Sequence, residues 1–321
     1  MTIELRRWMA LVAVTLVMAA ASGCATRGRH AEERVTLTAE RVTFDSLDID
    51  PATGRPVRVG ALMFRPEGAG DRRYPAVVAL HGCGGMFSTL PSRRDALSLR
   101  HQGMAELLVR EGYIVLFPDS FRPRGREEIC TIENRQRTIT VTARRLDAQG
   151  ALAYLQTRPE VAPDRIALLG WSHGGSTLLA TFNARQRAVA AWKDRTGAPP
   201  YFRAGVAFYP GCVESLRARD GYAVAAPLTL FVGGADDWTE PQPCIDLAGR
   251  LTAAGEPVTI TVYPGVYHGF DGPAAQGRLR LEVPNGVNPG QGVTVAPDSA
   301  AREDAYARLK AFLRAEIGAR S

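Results

Sequence analysis

The chain has only five histidines and five cysteines in 321 residues, and aromatic residues make up 7% of it. Each scarcity removes a class of function. No two cysteines have CxxC spacing and no histidine cluster accompanies them, so a zinc site is not expected. No Walker lysine follows a glycine-rich stretch, so none of these stretches reads as a phosphate loop, and no cofactor is expected. The net charge is +6, yet no Lys/Arg run stands out. With so few aromatics, that excess favours anionic surfaces or acidic small substrates over nucleic acid. No apolar run reaches the roughly 20 residues that a bilayer-spanning helix requires.

The longest mostly apolar stretch, Trp8 to Ala21, follows Arg6 and Arg7 and precedes Ser22, Gly23 and Cys24. A charged, then apolar, then small-residue order is that of an export signal. Residues 1–23 are expected to be a signal peptide, 24–34 a polar tether and 35–321 one domain. Ala21-Ser22-Gly23-Cys24 resembles a bacterial lipobox, whose cysteine becomes the lipid-modified first residue. Ala21 stands where leucine is usual, and ordinary signal cleavage is the alternative. The expectation is a lipoprotein anchored to the membrane through Cys24 on the periplasmic side of the cell envelope. Cys83, Cys130, Cys212 and Cys244 then remain, an even number suited to two disulfides in an oxidising compartment. Four buried thiols are the cytosolic alternative.

Strand signals recur at spacings that leave room for helices. Val35 to Ser46 and Val57 to Arg65 are β-rich and joined by a turn at Asp50 to Gly54, which predicts an antiparallel lead-in. Short continuous apolar runs follow at 76–80, 113–117, 165–169, 204–209, 228–232 and 258–263. Such runs are what parallel strands covered on both faces require. Helical patterns fill the gaps at 100–111, 137–157, 174–187, 243–254 and 300–317. The alternation predicts an α/β fold with a mostly parallel, doubly wound sheet of eight strands. Residues 273–297, rich in Gly, Pro and Asn, read as a long loop.

Gly170-Trp171-Ser172-His173-Gly174 directly follows an apolar run and directly precedes a helical segment. A tight strand-to-helix turn strains the serine backbone, and glycines on either side let the turn close while Oγ projects from it. Ser172 is therefore the candidate nucleophile. Among the five histidines, His268 alone lies where the order Ser, acid, His demands, which makes it the candidate base. The acid should follow the preceding strand. Asp236 and Asp237 both do, and spacing does not choose between them; either could instead cap the next helix. For the oxyanion, the N–H of His173 follows the nucleophile. A second donor should come from His81-Gly82-Cys83-Gly84-Gly85, with Cys83 preferred and Gly82 the near alternative. Arg122, Arg124 and Arg126 follow the fourth strand and are candidates for binding a substrate carboxylate.

The runs HGCGG (81–85), FPDSFRPRG (117–125), DRIALLGWSHGG (164–175), FYPGC (208–212), GGADDWTEPQPC (233–244) and YHGFD (267–271) together resemble the dienelactone hydrolase family of α/β hydrolases, in its exported, serine-containing branch. The resemblance spans about residues 40–317. It implies an α/β-hydrolase fold and hydrolysis of an ester or lactone, a small-molecule substrate. Its best-known members carry cysteine where this chain has Ser172. The family pattern GxxDDW puts the acid first, at Asp236, and Asp237, beside Trp238, is the better placed of the two to cap the following helix. The sheet order expected of this fold sets the third strand beside the fourth and the sixth beside the seventh. Cys83–Cys130 and Cys212–Cys244 are the pairs this implies. An acyltransferase or small peptidase would share every residue named, and a non-catalytic envelope protein on a hydrolase scaffold is the remaining alternative.

Overall fold

The computed structural model describes residues 37–68, 72–193 and 201–318. The expected signal segment, Cys24 and the whole tether lie outside them. A lead-in hairpin, β1 (Glu40–Ile49) and β2 (Pro56–Phe64), pairs antiparallel across the turn at Asp50, whose carboxylate accepts the Ala52 N–H at 2.9 Å. The remaining strands are β3 (Tyr74–Leu80), β4 (Ile114–Pro118), β5 (Val161–Trp171), β6 (Ala204–Phe208), β7 (Leu228–Gly233) and β8 (Val258–Tyr263). They form one eight-stranded sheet in the order β1-β2-β4-β3-β5-β6-β7-β8, parallel from β4 to β8.

Burial explains the strand sequences. Every residue of β3, β4, β6 and β7 is buried, so these strands are continuous apolar runs, whereas β1 at the edge alternates exposed and buried positions. Helices cover both faces. On one side lie α2 (Val141–Gln156), α3 (His173–Phe182) and α6 (Gln242–Ala253), packing Leu152, Leu178 and Leu247 against Val78 and Leu168. On the other lie α1 (Leu99–Arg110) and α7 (Ser299–Ile317), packing Met104 and Leu309 against Val77 and Leu169. The two short helices are α4 (Arg187–Lys193) and α5 (Val213–Leu216). Side-chain caps set three starts: Ser98 accepts from His101, Thr140 from Ala143 and Asp298 from Ala301.

Two expectations need correction. The helix predicted over 174–187 stops at Phe182, because Asn183 turns to extended backbone, and α4 is a separate piece. Residues 273–297 also contain a small antiparallel hairpin, β9 (Arg278–Arg280) and β10 (Val293–Val295). Strands of three residues are too short to show a period in a Gly- and Pro-rich stretch. Since β3 to β8 run parallel, the loops after all of them gather at one edge, where α/β sheets place their sites.

Candidate active site

Ser172 sits between β5 and α3 with φ 52° and ψ −118°, one of two non-glycine residues with positive φ among those described. Such strain persists only where the surroundings enforce it. They do so here through glycines: a Cβ on Gly170 would overlap the Gly174 carbonyl, and one on Gly174 would overlap the Leu80 carbonyl. The motif glycines thus let the turn close and let β3 approach it. The Ser172 N–H donates to Phe208 O at 2.9 Å, and the Ser176 N–H to Ser172 O at 2.8 Å. Among the turn and loop hydrogen bonds of the described residues, neither the His173 nor the Cys83 backbone N–H donates to a carbonyl.

The loops after β7 and β8 bring an acid and a base together. His268 Nδ1 lies 2.8 Å from Asp236 Oδ2, with both side chains almost fully buried. The other oxygen, Asp236 Oδ1, accepts the N–H groups of Trp238 and Thr239 at 2.9 and 2.8 Å. Thr239 Oγ1 adds a contact to Asp236 Oδ2 at 2.9 Å. A carboxylate with this many donors is held in one orientation, and it fixes the Nδ1–H tautomer, leaving Nε2 to accept a proton. The imidazole is packed between the rings of Tyr209 and Trp238, with centroids 4.5 and 4.7 Å away.

Asp237 is not a helix cap. Its carboxylate accepts the Thr294 N–H and the Thr294 hydroxyl, both at 2.7 Å, and its carbonyl accepts the Val287 N–H. Helix α6 begins with no side-chain cap at all. The same hairpin reaches the histidine, because the Ala296 N–H donates to His268 O at 3.2 Å. Asp237 is therefore the anchor by which β10 straps the acid and histidine loops together.

A cavity of about 730 Å³ opens at this edge, and Ser172, His173, Cys83, Arg137, Trp238 and Val287 are in its wall. Among the described residues no group of His, Cys, Asp and Glu could hold a metal ion. A profile of the dienelactone hydrolase family matches residues 59–317.

The chain belongs to the dienelactone hydrolase family. Curated relatives of this family member include a Bradyrhizobium protein named "Probable 2-oxo-3-(5-oxofuran-2-ylidene)propanoate lactonase", 25% identical over 246 residues, which are 73% of this chain and 86% of that one. The quorum-quenching protein AidA of Acinetobacter baumannii is 30% identical over 149 residues, covering 46% of this chain and 41% of AidA. Among solved structures, Thermogutta terrifontis esterase 2 phosphorylated by paraoxon aligns with a TM-score of 0.57 at 17% identity, over 88% of this chain and 96% of the esterase. The dienelactone hydrolase-like promiscuous phosphotriesterase P91, from metagenomic libraries, aligns at 0.58 and 19%, over 88% and 99%. These structures share the α/β-hydrolase fold.

In this dienelactone hydrolase family member both disulfides pair as expected. Cys83–Cys130 joins the loops after β3 and β4, and Cys212–Cys244 joins the loop after β6 to α6. The arginines after β4 are another matter. Arg124 is drawn inward, pairing with Asp48 at 2.7 Å and Asp147 at 2.9 Å and donating to Ser120 O. Arg122 pairs with Asp95, donates to Arg94 O and lies over the Phe87 ring. Neither is among the cavity residues, and Arg126 is exposed away from them. The expectation that Arg122 and Arg124 bind substrate is corrected: their forks are occupied by the protein's own carboxylates and carbonyls.

Sequence reasoning passed over several residues of the site. Arg137 lines the cavity, its Nε donating to Ile132 O at 3.1 Å and no carboxylate within ion-pair reach among the described residues. Burial pulls its pKa down, with Glu128 opposing. Asp271, three residues after His268, is wholly buried and receives the indole N–H of Trp171 at 2.7 Å and the hydroxyl of Tyr209 at 2.6 Å. Arg100 stands 3.0 Å from the same carboxylate and also donates to Gly269 O. The histidine loop is thus tied to the residue just before the nucleophile. The position of Asp271 in the YHGFD run was its only sequence signal.

Proposed function

We propose that the protein hydrolyses a carboxylic ester or lactone through an acyl-enzyme on Ser172. His268 takes the Oγ proton on Nε2 as the serine attacks the carbonyl, and returns it to the leaving alcohol. Asp236 holds the productive tautomer and stabilises the imidazolium as it forms. The N–H groups of Cys83 and His173 receive the oxyanion, with Gly82 the neighbouring alternative. Water, activated by the same histidine, then releases the acid.

The observation that carries this reading is the strained Ser172 turn sharing one sheet edge with the buried Asp236–His268 couple. A relative named as a lactonase and a structural neighbour phosphorylated by paraoxon agree with it. Arg137 in the cavity wall favours substrates that carry an anionic group, while the exposed Glu214 and Glu240 at the same cavity disfavour a large negative leaving group. Paraoxon should label Ser172, and Ser172→Ala should abolish labelling and esterase activity in a folded protein. Labelling that persists in that variant refutes the nucleophile.

The exported, lipid-anchored form is part of the same reading. Two formed disulfides suit an oxidising compartment, and Cys24 is the acylation site the leading segment offers. Metabolic palmitate labelling of the full chain should require Cys24, and export without label in the native chain would leave ordinary signal cleavage.

A further inference from the structure

Arg144, on the second turn of α2, has no exposed surface. A guanidinium in such a place ordinarily faces a carboxylate, because an unneutralised buried charge is costly. Its nearest acids are engaged elsewhere. Asp147 binds Ser46 and Arg124, and Asp119 accepts the N–H groups of Phe121 and Arg122. Arg144 instead places Nη1 2.8 Å from His173 Nδ1 and donates from Nη2 to His81 O at 2.7 Å. The guanidinium carbon lies 5.1 Å from the Phe121 ring centroid, and Nε has no partner. Burial lowers its pKa to about 9, with Asp147 opposing, so it is cationic at neutral pH.

Both contacts fall beside the proposed oxyanion donors. His81 opens the loop that carries the Cys83 N–H, and His173 supplies the other N–H. Arginine can only donate, so His173 Nδ1 must accept, and that ring is neutral with its proton on Nε2. Burial, reinforced by Arg144, holds the His173 pKa well below the usual imidazole value. His81 is neutral as well: its Nδ1–H donates to Gly82 O at 2.8 Å and its Nε2 accepts from the Ser120 N–H. The charge closest to both donor segments is therefore one cation with no anion in direct contact.

We infer that Arg144 is a positioning residue for the oxyanion hole, clamping the β3 loop and the serine turn so that the two N–H groups converge. Its fixed charge adds to the field they present to the developing oxyanion. This rests on the acyl-enzyme reading of Ser172. The interaction grows as negative charge builds on the carbonyl oxygen, so it acts on the transition state more than on bound ester.

The test compares wild type, Arg144→Lys and Arg144→Met, with active sites counted by the p-nitrophenol burst. The readouts are kcat, KM and inhibition by an aryl trifluoromethyl ketone, which adds to serine as a tetrahedral hemiketal. Arg144→Met should lose about 100-fold in kcat per active site, comparable with loss of an oxyanion donor. KM should stay within about threefold, affinity for the ketone should fall in parallel with kcat, and Arg144→Lys should be intermediate. A lower melting temperature with kcat per active site unchanged would show a brace of the core only and overturn the inference. Should Arg144→Met fail to fold, His173→Leu and His173→Asn decide, because asparagine can present Oδ1 as an acceptor where Nδ1 stands. His173→Leu should lose at least about tenfold more kcat than His173→Asn, and equal losses overturn the inference. If wild type itself forms no adduct on Ser172, the hydrolase reading fails first, which is distinct from a wild-type adduct that Arg144→Met retains at full affinity.

Discussion

On the serine side of the site, what shapes the backbone lies within a few residues of Ser172 or in the strand alongside. Gly170 and Gly174 close the turn on each other and on Leu80, and a disulfide fixes the neighbouring loop. The acid and histidine side closes in a similar way where β7 ends, since a Cβ on Gly233 would overlap the Val266 carbonyl and the Ala235 N–H donates to that same carbonyl, but it is also tied to a distant hairpin. Asp236 and His268 are 32 residues apart, and the loops that carry them are held by β10 and the residue after it, through Thr294 on Asp237 and Ala296 on His268. Backbone sterics shape both halves, and the second is also strapped by hydrogen bonds from a distant hairpin. Damage to the first should change geometry abruptly, whereas damage to the second should separate orientation of the base from stability of the strap.

The largest effect tests that separation. Asp236→Asn should lose about 10⁴ in kcat with the fold intact, since the amide no longer enforces the Nδ1–H tautomer. Asp237→Asn should instead loosen the strap, costing about 1–2 kcal/mol in urea melts with far less loss of turnover. Turnover that falls equally in both would mean that orientation and strap are one device.

The two disulfides set the halves against each other next. With the cysteines 47 and 32 positions apart in sequence, loop entropy makes each bridge worth about 4 kcal/mol. Their removal should therefore cost similar stability. Only Cys83→Ser with Cys130→Ser should also depress kcat per active site, because that bridge holds the loop of the proposed oxyanion donor. Similar kcat in the two double variants would separate the oxyanion loop from its bridge.

Acid should act on the serine side. His81 and His101 are buried there and His173 is half-buried in the cavity wall, His101 packing on Trp171 with ring centroids 5.1 Å apart. Burial is the main cause lowering each pKa, to about 4 for His101 and well below the usual value for the other two. Folded pKa values below the unfolded one mean that this stability is complete above about pH 6.5 and is lost as pH falls through that range toward 4. Each histidine can steepen the acid limb by up to about 1.4 kcal/mol per pH unit. His101→Gln should flatten it in pH-dependent urea melts, and an unchanged slope would remove His101 from the account.

The smallest effect concerns substrate choice. Arg137→Ala should reduce the preference for carboxylated over neutral esters by about tenfold in kcat/KM, whereas Arg122→Ala and Arg124→Ala should leave it alone. Arg124→Ala should lower stability instead, because it strands Asp147.

How much of this was legible depended on sequence distance. The run from β5 through Ser172 into α3 could be read directly, because an apolar strand, two glycines and a helix start are neighbours in the chain. The parallel sheet was legible for a similar reason, since burial on both faces writes itself into each strand. Asp236 and Asp237 were not separable by spacing. Their environments differ through Thr239, Trp238 and Thr294, and adjacency along the chain carries no trace of that. Arg124 looked free because its partners Asp48 and Asp147 lie 76 and 23 residues away. Arg137 and Arg144 had no motif to mark their parts, and Asp271 had only its place in the YHGFD run.

The sequence by itself determined the α/β class, the serine turn, the order of the candidate triad and, through the sheet order its resemblance implied, the cysteine pairs. Backbone sterics and burial periodicity act between near neighbours, so the order of residues encodes them. Spacing left the aspartate open and the resemblance pointed to Asp236, but only the tertiary structure decided which arginines are neutralised and which faces the cavity. A charged side chain takes whatever counter-charge or carbonyl packing brings within about 3 Å, and packing brings it from anywhere along the chain.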